Sequence, residues 1–418
     1  MLKKALTLMT TRVIMQASCG IGLSSKKFTI TEGNKTCISV FSGILGLEMG
    51  LHKAGFATKL AIDIDESAKE TVAINFPELD YVIKDIADVT PSFILDRTGF
   101  ESGEIDLLAG GPPCQPFSKS GLRRGLNDNR GPLFEHYIEL LIGLEPRAFI
   151  LENVRGIASS RKGQDWKEIL NEFRKTWYTL YWKVLDVANY GVPQFRQRLF
   201  LVGFRKRIKF SFPEKTHGHV NGVNCQLKPF VTVQDAIGRL RCVKDDPPYQ
   251  GKYAHLLKDI PEGLNYSYYC KERGHPNPLF KWRSKFWYFL HKIDRNRPSL
   301  TIQACPGNNT GPFHWENRKL GISELKRLQT IPDWFKIKGS YKTKHRHIGN
   351  AVPPVLAHKI GVQLAEALDE DLALSESEYH RLLNRENKLF KIDSGRRSGK
   401  GKLCAVNGRK TVLVSIGK

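Results

Sequence analysis

The chain has 418 residues, of which 65 are lysine or arginine and 42 are aspartate or glutamate, so its formal net charge at pH 7 is +23. The 41% of hydrophobic residues is typical of a globular protein, and no run reaches the roughly 18 apolar residues of a membrane-spanning helix. Composition therefore excludes a membrane span, and the charge favours a polyanionic partner, nucleic acid first and an anionic membrane surface second.

The N-terminal stretch and the cysteines indicate a cytosolic, reduced protein. Residues 1–20 look like a lipoprotein signal, but three threonines and Arg12 interrupt the apolar segment, so we do not expect export. The eight cysteines are scattered and include no Cys-x-x-Cys pair. This spacing argues against a structural zinc site and against a disulfide framework, and we expect no metal.

Between residues 36 and 203, short apolar runs alternate with amphipathic stretches, which predicts an α/β fold with a parallel sheet and crossover helices. The predicted strands cover residues 37–41, 57–64, 81–83, 105–109, 148–151, 183–187 and 198–204. The clearest helical patterns between the strands cover residues 132–144 and 166–177.

The rest of the chain differs in character. From about residue 207 to 298 the alternation breaks down into loops, prolines and aromatic residues, which indicates a second, irregular domain. Helical patterning returns at 323–329 and 354–368, so the chain comes back to the first domain, and a basic tail follows. A solvated tail is the simpler interpretation, with a specific contact as the alternative. The predicted boundaries are 1–35 (extension), 36–206 (first domain), 207–300 (second domain), 301–370 (return) and 371–418 (tail).

A nucleotide-type pocket is predicted at the ends of the first three strands. In the stretch Phe41-Ser-Gly-Ile-Leu-Gly46, the two glycines allow a ligand to approach the backbone. Asp63 ends the second predicted strand, where a carboxylate can bind ribose hydroxyls, and Asp85 follows the third, where it can accept a bond from an adenine amino group. Taken singly, each aspartate is equally well explained as a helix cap.

A second group of residues lies at the ends of later strands. Cys114 follows a predicted strand within a loop rich in glycine and proline, where thiolate chemistry is feasible, although a lone cysteine is more often a small buried side chain. Glu152 follows three apolar residues, and desolvation there raises a carboxyl pKa. Arg196 and Arg198 lie two residues apart and suit a phosphate or a base edge, with solvated surface charge as the alternative.

Longer motifs occur in a fixed order along the chain. They are Gly111-Pro-Pro-Cys-Gln-Pro-Phe-Ser, Glu152-Asn-Val, Gln194-x-Arg-x-Arg198 and Gly349-Asn-Ala-Val-Pro353. Together with Phe41–Gly46, Arg297-Pro-Ser-Leu-Thr-Ile302 and residues 323–329, they resemble the DNA (cytosine-5) methyltransferases of bacterial restriction-modification systems, over about residues 37–368. The resemblance implies a Rossmann-like S-adenosylmethionine-dependent methyltransferase sheet with helices on both faces. It also implies that residues 207–300 form a smaller, irregular target-recognition domain.

The resemblance also implies a reaction. C5 of cytosine is a poor nucleophile, and a thiolate that adds to C6 converts C5 into an enamine carbon able to attack a sulfonium methyl group. In this interpretation Cys114 is the nucleophile, Glu152 holds the base edge and protonates N3, and Arg196 and Arg198 hold the base carbonyl and the Cys–Glu pair.

The cofactor implied by the resemblance is S-adenosylmethionine. The matching positions are Phe41, Ser42, Gly43, Ile44, Gly46, Asp63, Ile64, Asp85, Ile86, Leu133, Asn350 and Ala351. Leu45 stands where many members have glycine, and we expect its side chain to turn outward. Ala351 stands where some members carry serine, so only its backbone contact carries over.

The implied partner is double-stranded DNA, from which the target base must be extruded. Contacts with DNA are expected from Ser118, Ser120, Arg123, Arg124, Lys281, Arg283, Lys285 and Thr301. Trp282, Phe286 and Trp287 are candidates for stacking on bases, but we expect at least half of these three aromatics to form the core of the small domain.

Alternatives from other classes stay open at this point. One is a methyltransferase of the same chemistry that acts on tRNA, and another is a DNA-binding protein with an inactive methyltransferase fold. An amino-methyltransferase fits poorly, because such enzymes typically carry an aromatic residue after Pro-Pro, where this chain has Cys114. We expect a monomer without an obligate protein partner, cytoplasmic and associated with the nucleoid through DNA.

Overall fold

A computed structural model describes residues 26–113, 133–219, 226–240, 249–283 and 285–382 of the protein. Its β-strands are β1 (Lys35–Val40), β2 (Phe56–Asp63), β3 (Asp80–Ile83), β4 (Leu107–Gly110), β5 (Ala148–Val154), β6 (Thr179–Asp186), β7 (Gln194–Phe195), β8 (Gln197–Phe204), β9 (His217–Gly218), β10 (Lys228–Pro229) and β11 (Ser299–Leu300). All seven predicted strands are present, with ends that differ by a few residues.

The described α-helices include all four segments for which the sequence predicts a helical pattern. They are α1 (Gly46–Lys53), α2 (Glu66–Asn75), α3 (Pro91–Thr98), α4 (Leu133–Leu144), α5 (Gly156–Ser159), α6 (Gln164–Arg174), α7 (Val233–Ile237), α8 (Ile322–Leu328), α9 (Tyr341–Asn350) and α10 (Pro354–Glu370). Short 3-10 helices cover Ile86–Asp88, Ser160–Gly163, Val187–Tyr190, Ala254–Leu256, Tyr266–Tyr269 and Lys271–Arg273.

The main sheet has seven strands in the order β3-β2-β1-β4-β5-β8-β6. Strands β3, β2, β1, β4 and β5 are parallel, whereas β8 runs antiparallel to both of its neighbours. The predicted parallel sheet is therefore interrupted at this edge by one antiparallel strand. The 3-10 turn Val187–Tyr190 and the segment after it return the chain after β6, so β8 enters the sheet without a crossover helix. The strand order reverses between β1 and β4, so their carboxyl ends open a crevice.

Helices cover both faces of this sheet, as predicted. On one face α1 and α10 pack against the strands, and Leu47 joins Cys37 of β1 in the core. On the other face α4 and α6 contribute Tyr137 and Trp166, which join Ile38 of β1. Consecutive residues of β1 serve both cores because side chains alternate across a strand.

A third apolar cluster joins distant parts of the chain beside β2. Ile30 from the N-terminal segment, Ile44 from the β1–α1 loop and Val72 of α2 pack there against α7 and α8. The returning C-terminal chain is therefore part of the main body, and its position beside the β1–α1 loop decides the geometry of the site described below.

The fourth apolar cluster is built almost entirely within the predicted second domain. It contains Leu257, Tyr266, Tyr269 and Leu290, and adds Phe313 from the chain that follows. Residues 207–212, also predicted to belong to the second domain, pack instead on the main sheet and pair with residues 372–374. The domain boundaries themselves stay a prediction.

Membrane spans and metal clusters were sought among the described residues. None of the described helices is both long and apolar enough to cross a membrane. Within the same ranges no group of three or more His, Cys, Asp or Glu side chains is placed to hold a metal ion. Of the cysteines described, Cys37 and Cys270 are free and buried, and Cys305 is free and exposed.

Candidate active site

The β1–α1 loop lies at the sheet crevice in an unusual backbone conformation. Phe41, Gly43 and Leu45 all have positive φ angles, of 56°, 50° and 65°. Ser42 anchors the loop to β2, because its backbone N–H and its hydroxyl both donate to the carbonyl of Ile62. The loop is thus a tight, fixed turn that presents backbone at the carboxyl end of β1.

Asp63 holds this loop from the neighbouring strand. Its Oδ2 accepts a hydrogen bond from the Gly43 amide at 2.6 Å, and its Oδ1 accepts one from the Asp65 amide at 2.7 Å. Burial raises the pKa of Asp63, and the two amide bonds offset part of that rise. Each carboxylate oxygen has two lone pairs, so both can still accept from ribose hydroxyls.

Of the residues predicted to contact adenine, two are engaged within the protein and one is exposed. The Asp85 side chain accepts a hydrogen bond from the Ala87 amide at 3.0 Å and caps a 3-10 helix, which is the alternative role that the sequence allowed. Ile86 is buried in the core between sheet and helices. Ile64 is 64% exposed at the end of β2, so it offers an apolar surface for a ligand to cover.

Leu45 contradicts the expectation drawn for it. Its side chain does not turn outward but is fully buried, in the cluster that contains Ile44 and Met49. A leucine is held here in a left-handed conformation that glycine adopts without cost. The apolar contacts of the buried side chain offset that strain.

The returning segment contacts the loop directly. A Cβ placed on Gly46 would lie 2.6 Å from the Val352 carbonyl oxygen and 3.0 Å from the Ala351 Cβ, so only glycine fits there. Asn350 is exposed beside this contact, and Leu133 is half-buried at the start of α4. The structure therefore brings Gly46 and Ala351 together, although they are 305 positions apart in the sequence.

Glu152 and Arg198 form the charged pair of the site. Glu152 lies near the end of β5, pairs across the sheet with β8 and is buried, and the Arg198 Nε is 2.8 Å from its Oε1. Burial raises the pKa of Glu152, and the charges of Arg198 and Arg196 offset part of the rise. Apart from this contact with Arg198, Oε1 meets no hydrogen-bond donor among the described residues. The carboxyl group therefore keeps capacity for a further polar contact.

Arg196 lies beside this pair but is occupied elsewhere. Its guanidinium donates to the carbonyls of Ile302 at 3.2 Å and Gly349 at 2.7 Å, and more distantly to that of Ala351. The side chain is almost fully buried, and burial lowers its pKa to about 9, so the charge persists at neutral pH. Arg196 thus fastens the returning chain, whereas Arg198 is the arginine that contacts Glu152.

The segment leading to Cys114 is fixed against β5. The Asn153 side-chain amide donates to the Pro112 carbonyl at 2.9 Å, and a Cβ on Gly111 would lie 3.4 Å from the Glu152 Oε2. The chain is therefore held beside Glu152 one residue before the described range ends at residue 113. Five predicted site residues lie outside the described residues, namely Cys114, Ser118, Ser120, Arg123 and Arg124.

Tyr288 lies in the site although the sequence did not single it out. Its side chain lies beside Thr301 and close to the charges of Arg196 and Arg198. Burial raises its pKa, and Thr301 and the two arginines lower it. The Thr301 hydroxyl itself donates to the Phe195 carbonyl at 2.8 Å. The aromatic run 280–289 was the available signal, but nothing in it separates this tyrosine from its neighbours.

A second group missed by the sequence lies next to Asp63. Arg346 forms an ion pair with Asp65 at 2.8 Å, and His347 is 3.0 Å from the Ser67 hydroxyl. These contacts join α9 to the start of α2, across about 280 positions of sequence. No local pattern reports contacts over such a separation.

The cationic residues predicted to bind DNA lie on an exposed aromatic surface. Lys281, Arg283 and Lys285 are exposed, and none of them forms an ion pair with another described residue. Trp282, Phe286 and Trp287 are 44%, 46% and 44% exposed. The expectation that at least half of these three aromatics form the core is therefore wrong, because Phe280 and Phe289, rather than these rings, pack against the core.

The strand order, the crevice at β1 and β4, and the glycine loop define a Rossmann-like methyltransferase fold. A crystal structure of a DNA modification methyltransferase from an E. coli prophage matches with a TM-score of 0.57 and 27% identity, covering 80% of this chain and 100% of that chain. The S. pombe Dnmt2 methyltransferase shares the fold, with a TM-score of 0.55 and 17% identity, over 80% of this chain and 100% of its own.

The family follows from sequence comparisons. The model of the C-5 cytosine-specific DNA methylases matches residues 35–366. Type II methyltransferase M.SacI of Streptomyces achromogenes is 34% identical over 81% of this chain and 94% of its own length. M.NgoFVII of Neisseria gonorrhoeae is 34% identical over 76% of this chain and 83% of its own. The chain belongs to the C-5 cytosine-specific DNA methylase family and is a DNA (cytosine-5-)-methyltransferase, and the tRNA and inactive-homologue alternatives are not favoured.

Substitutions at Leu45 test the strained loop. Leu45→Ala and Leu45→Gly both lose apolar burial, about 2–5 kcal/mol, but glycine also relieves a left-handed conformation worth about 1–2 kcal/mol. We expect the glycine variant to be the more stable, by about 1 kcal/mol in the free energy of unfolding from urea titration. Met49, inside α1, is the control position: there Met49→Ala should be more stable than Met49→Gly by about 1 kcal/mol in the free energy of unfolding. A more stable alanine variant at position 45 would contradict the account.

Proposed function

We propose that the protein transfers a methyl group from S-adenosylmethionine to C5 of a cytosine within a specific sequence of double-stranded DNA. The observation that supports this most directly is the buried Glu152–Arg198 pair, held beside Gly111 and Pro112 at the crevice of the sheet. The Glu152 carboxyl group lies beside Gly111, directly before the Pro-Pro-Cys motif. The proposal gives Glu152 and Cys114 one shared substrate, the cytosine ring.

The described residues fit S-adenosylmethionine. The fixed loop 41–46 offers backbone without side-chain obstruction, Asp63 keeps lone pairs for ribose hydroxyls, and Ile64 offers an exposed apolar face for adenine. When bound, this cofactor supplies an electrophilic sulfonium methyl group. Phe41, Ser42, Gly43, Ile44, Gly46 and Ala351 would shape its pocket, with Ile86, Leu133 and Asn350 at the edges. Asp85 would serve mainly as a helix cap.

Cys114 is proposed to act as the nucleophile. Its thiolate adds to C6 of the extruded cytosine, and the electron pair of the C5–C6 bond moves into the ring as Glu152 gives a proton to N3. C5 thereby becomes nucleophilic enough to take the methyl group. The N3 proton returns to Glu152 as C5 takes the methyl group. Solvent then takes the C5 proton, and that electron pair re-forms the C5=C6 double bond and expels the Cys114 thiolate, so both residues return to their starting states.

The two arginines take separate roles in this proposal. Arg198 orients Glu152 and stabilises the charge that remains after the proton leaves. Arg196 acts through the backbone that it holds, so it is a positioning residue. This revises the expectation from sequence, in which the two arginines together hold the base carbonyl and the Cys114–Glu152 pair.

Duplex DNA fits the charge of the molecule and its exposed cations. Thr301 lies next to the arginine pair, where it would hold a phosphate near the target, and Lys281, Arg283 and Lys285 would bind further along the strand. Because relatives that align over most of their length carry Type II names, we propose a modification enzyme of a restriction system. It would act as a monomer on bacterial DNA in the cytoplasm.

A methyl-transfer assay tests the substrate. With labelled S-adenosylmethionine, we expect label at C5 of cytosine in duplex DNA and none in tRNA, and bisulfite sequencing should show one recurring sequence around the methylated base. Cys114→Ala should abolish transfer, whereas Cys305→Ala, which removes an exposed cysteine, should leave it unchanged. Label found only in RNA would overturn the proposal.

The raised pKa of Glu152 predicts the pH dependence of the reaction. The protonated carboxyl is the donor, so the methyl-transfer rate should fall on the alkaline side as rising pH removes its proton. On the acid side the rate should increase with pH, because the Cys114 thiol ionises to the thiolate. In Glu152→Gln the amide cannot lose a proton, so the fall on the alkaline side should vanish and the rate should drop about 100-fold or more. Glu370→Gln, at an exposed carboxyl, is the control. An unchanged alkaline limb in Glu152→Gln would exclude this role.

A further inference from the structure

A second pocket lies outside the Glu152 site. It has a volume of about 300 Å³ and is open to solvent on one side. Rings of Tyr253, Tyr266, Phe280, Phe286 and Phe289 line it. Neither Glu152 nor Arg198 belongs to its lining. This volume is at the small end of ligand pockets, which suits a single planar ring system.

The wall of the pocket is rigid. Phe280 and Phe289 pack at 5.6 Å between ring centroids and at 85° between planes, and Tyr253 packs edge-on against both of them. The Tyr266 hydroxyl donates to the Arg283 carbonyl at 2.9 Å and accepts from the Arg283 amide at 2.7 Å. The backbone at the rim is thus fixed by the ring below it, so the aromatic faces are preorganised.

The rim combines cations with exposed apolar rings. Lys281 and Arg283 line the pocket, and the Arg283 guanidinium lies over the Phe286 ring at 5.8 Å. Leu279 and Phe286 are 57% and 46% exposed. Unpaired cations beside exposed aromatic faces are the combination by which proteins bind the phosphates and stack the bases of unpaired nucleic-acid strands.

The pocket lies next to the proposed catalytic centre along the chain. Phe286 and Phe289 line it, and Tyr288 between them reaches the Arg196 and Arg198 pair. Tyr288 therefore links the segment that lines the pocket to the two arginines.

We propose that the pocket stacks one unpaired nucleobase of a DNA strand, separate from the cytosine that is methylated. The inference rests on the proposed function, because DNA is the polyanion that brings a base to this surface. The aromatic faces supply the stacking energy, and Lys281 and Arg283 bind the flanking phosphates. Stacking requires only a π-face, so the pocket accepts any of the four bases.

Two single strands of equal charge test this pocket. Binding of a twelve-residue thymidine oligonucleotide is compared with binding of a twelve-residue abasic deoxyribose-phosphate chain, by fluorescence anisotropy with the full-length protein. Stacking is worth about 1–3 kcal/mol per base, so the wild type should bind the thymidine strand at least about fivefold more tightly. Phe286→Ala should remove most of this preference. Lys281→Gln should weaken both strands equally.

The matched control is Trp177→Ala, which removes a 91% exposed aromatic residue elsewhere on the surface and should keep the full preference. Equal binding of both strands by the wild type would overturn the pocket proposal, as would a preference that survives in Phe286→Ala. Methylation of duplex DNA is measured on the same preparations. If the protein methylates DNA but shows no preference for the thymidine strand, only the pocket proposal is contradicted. If it shows the preference but does not methylate DNA, the proposed function is contradicted.

Discussion

The site depends on one buried guanidinium. Arg196 follows β7, and its hydrogen bonds reach two segments that return to the sheet more than a hundred residues later, at Ile302 and at Gly349. A buried charge is tolerated only with such partners, and the carbonyls would lose theirs if it were removed. This interaction places Ala351 against Gly46 and sets a positive charge beside Arg198 and Glu152. The β1–α1 loop and the Glu152 carboxyl group are thereby joined.

The same region connects the aromatic pocket to the two arginines. Residues 285–289 lie between the aromatic pocket and the arginine pair, with Phe286 and Phe289 on one side and Tyr288 on the other. A strand of DNA that engages the rim would therefore press on the segment that carries Tyr288. In physical terms, the irregular domain and the sheet are not independent modules, because one short run of chain contributes side chains to both.

Much of the sheet could be predicted from sequence, because a buried strand needs an apolar run and each run left a signal. The direction of β8 could not be predicted, because the spacing of apolar residues does not tell whether a strand runs parallel or antiparallel to its neighbours. Asp85 illustrates a local ambiguity, because a cap and an adenine ligand look alike in sequence. The prediction that the Leu45 side chain turns outward was wrong, because burial in a cluster that includes distant residues outweighs the backbone preference for glycine. Tyr288 owes its position to contacts across the fold, which no local pattern reports.

Addition of Cys114 to C6 of cytosine is tested most directly with DNA in which 5-fluorocytosine replaces cytosine, because fluorine at C5 blocks the proton loss that releases the thiolate. With S-adenosylmethionine present, the protein should form a complex that survives denaturation, and peptide mass analysis should place the modified nucleotide on Cys114. Cys305→Ala should form the same complex and Cys114→Ala none. A protein that methylates ordinary DNA but forms no such complex, or forms it through another residue, would contradict the mechanism.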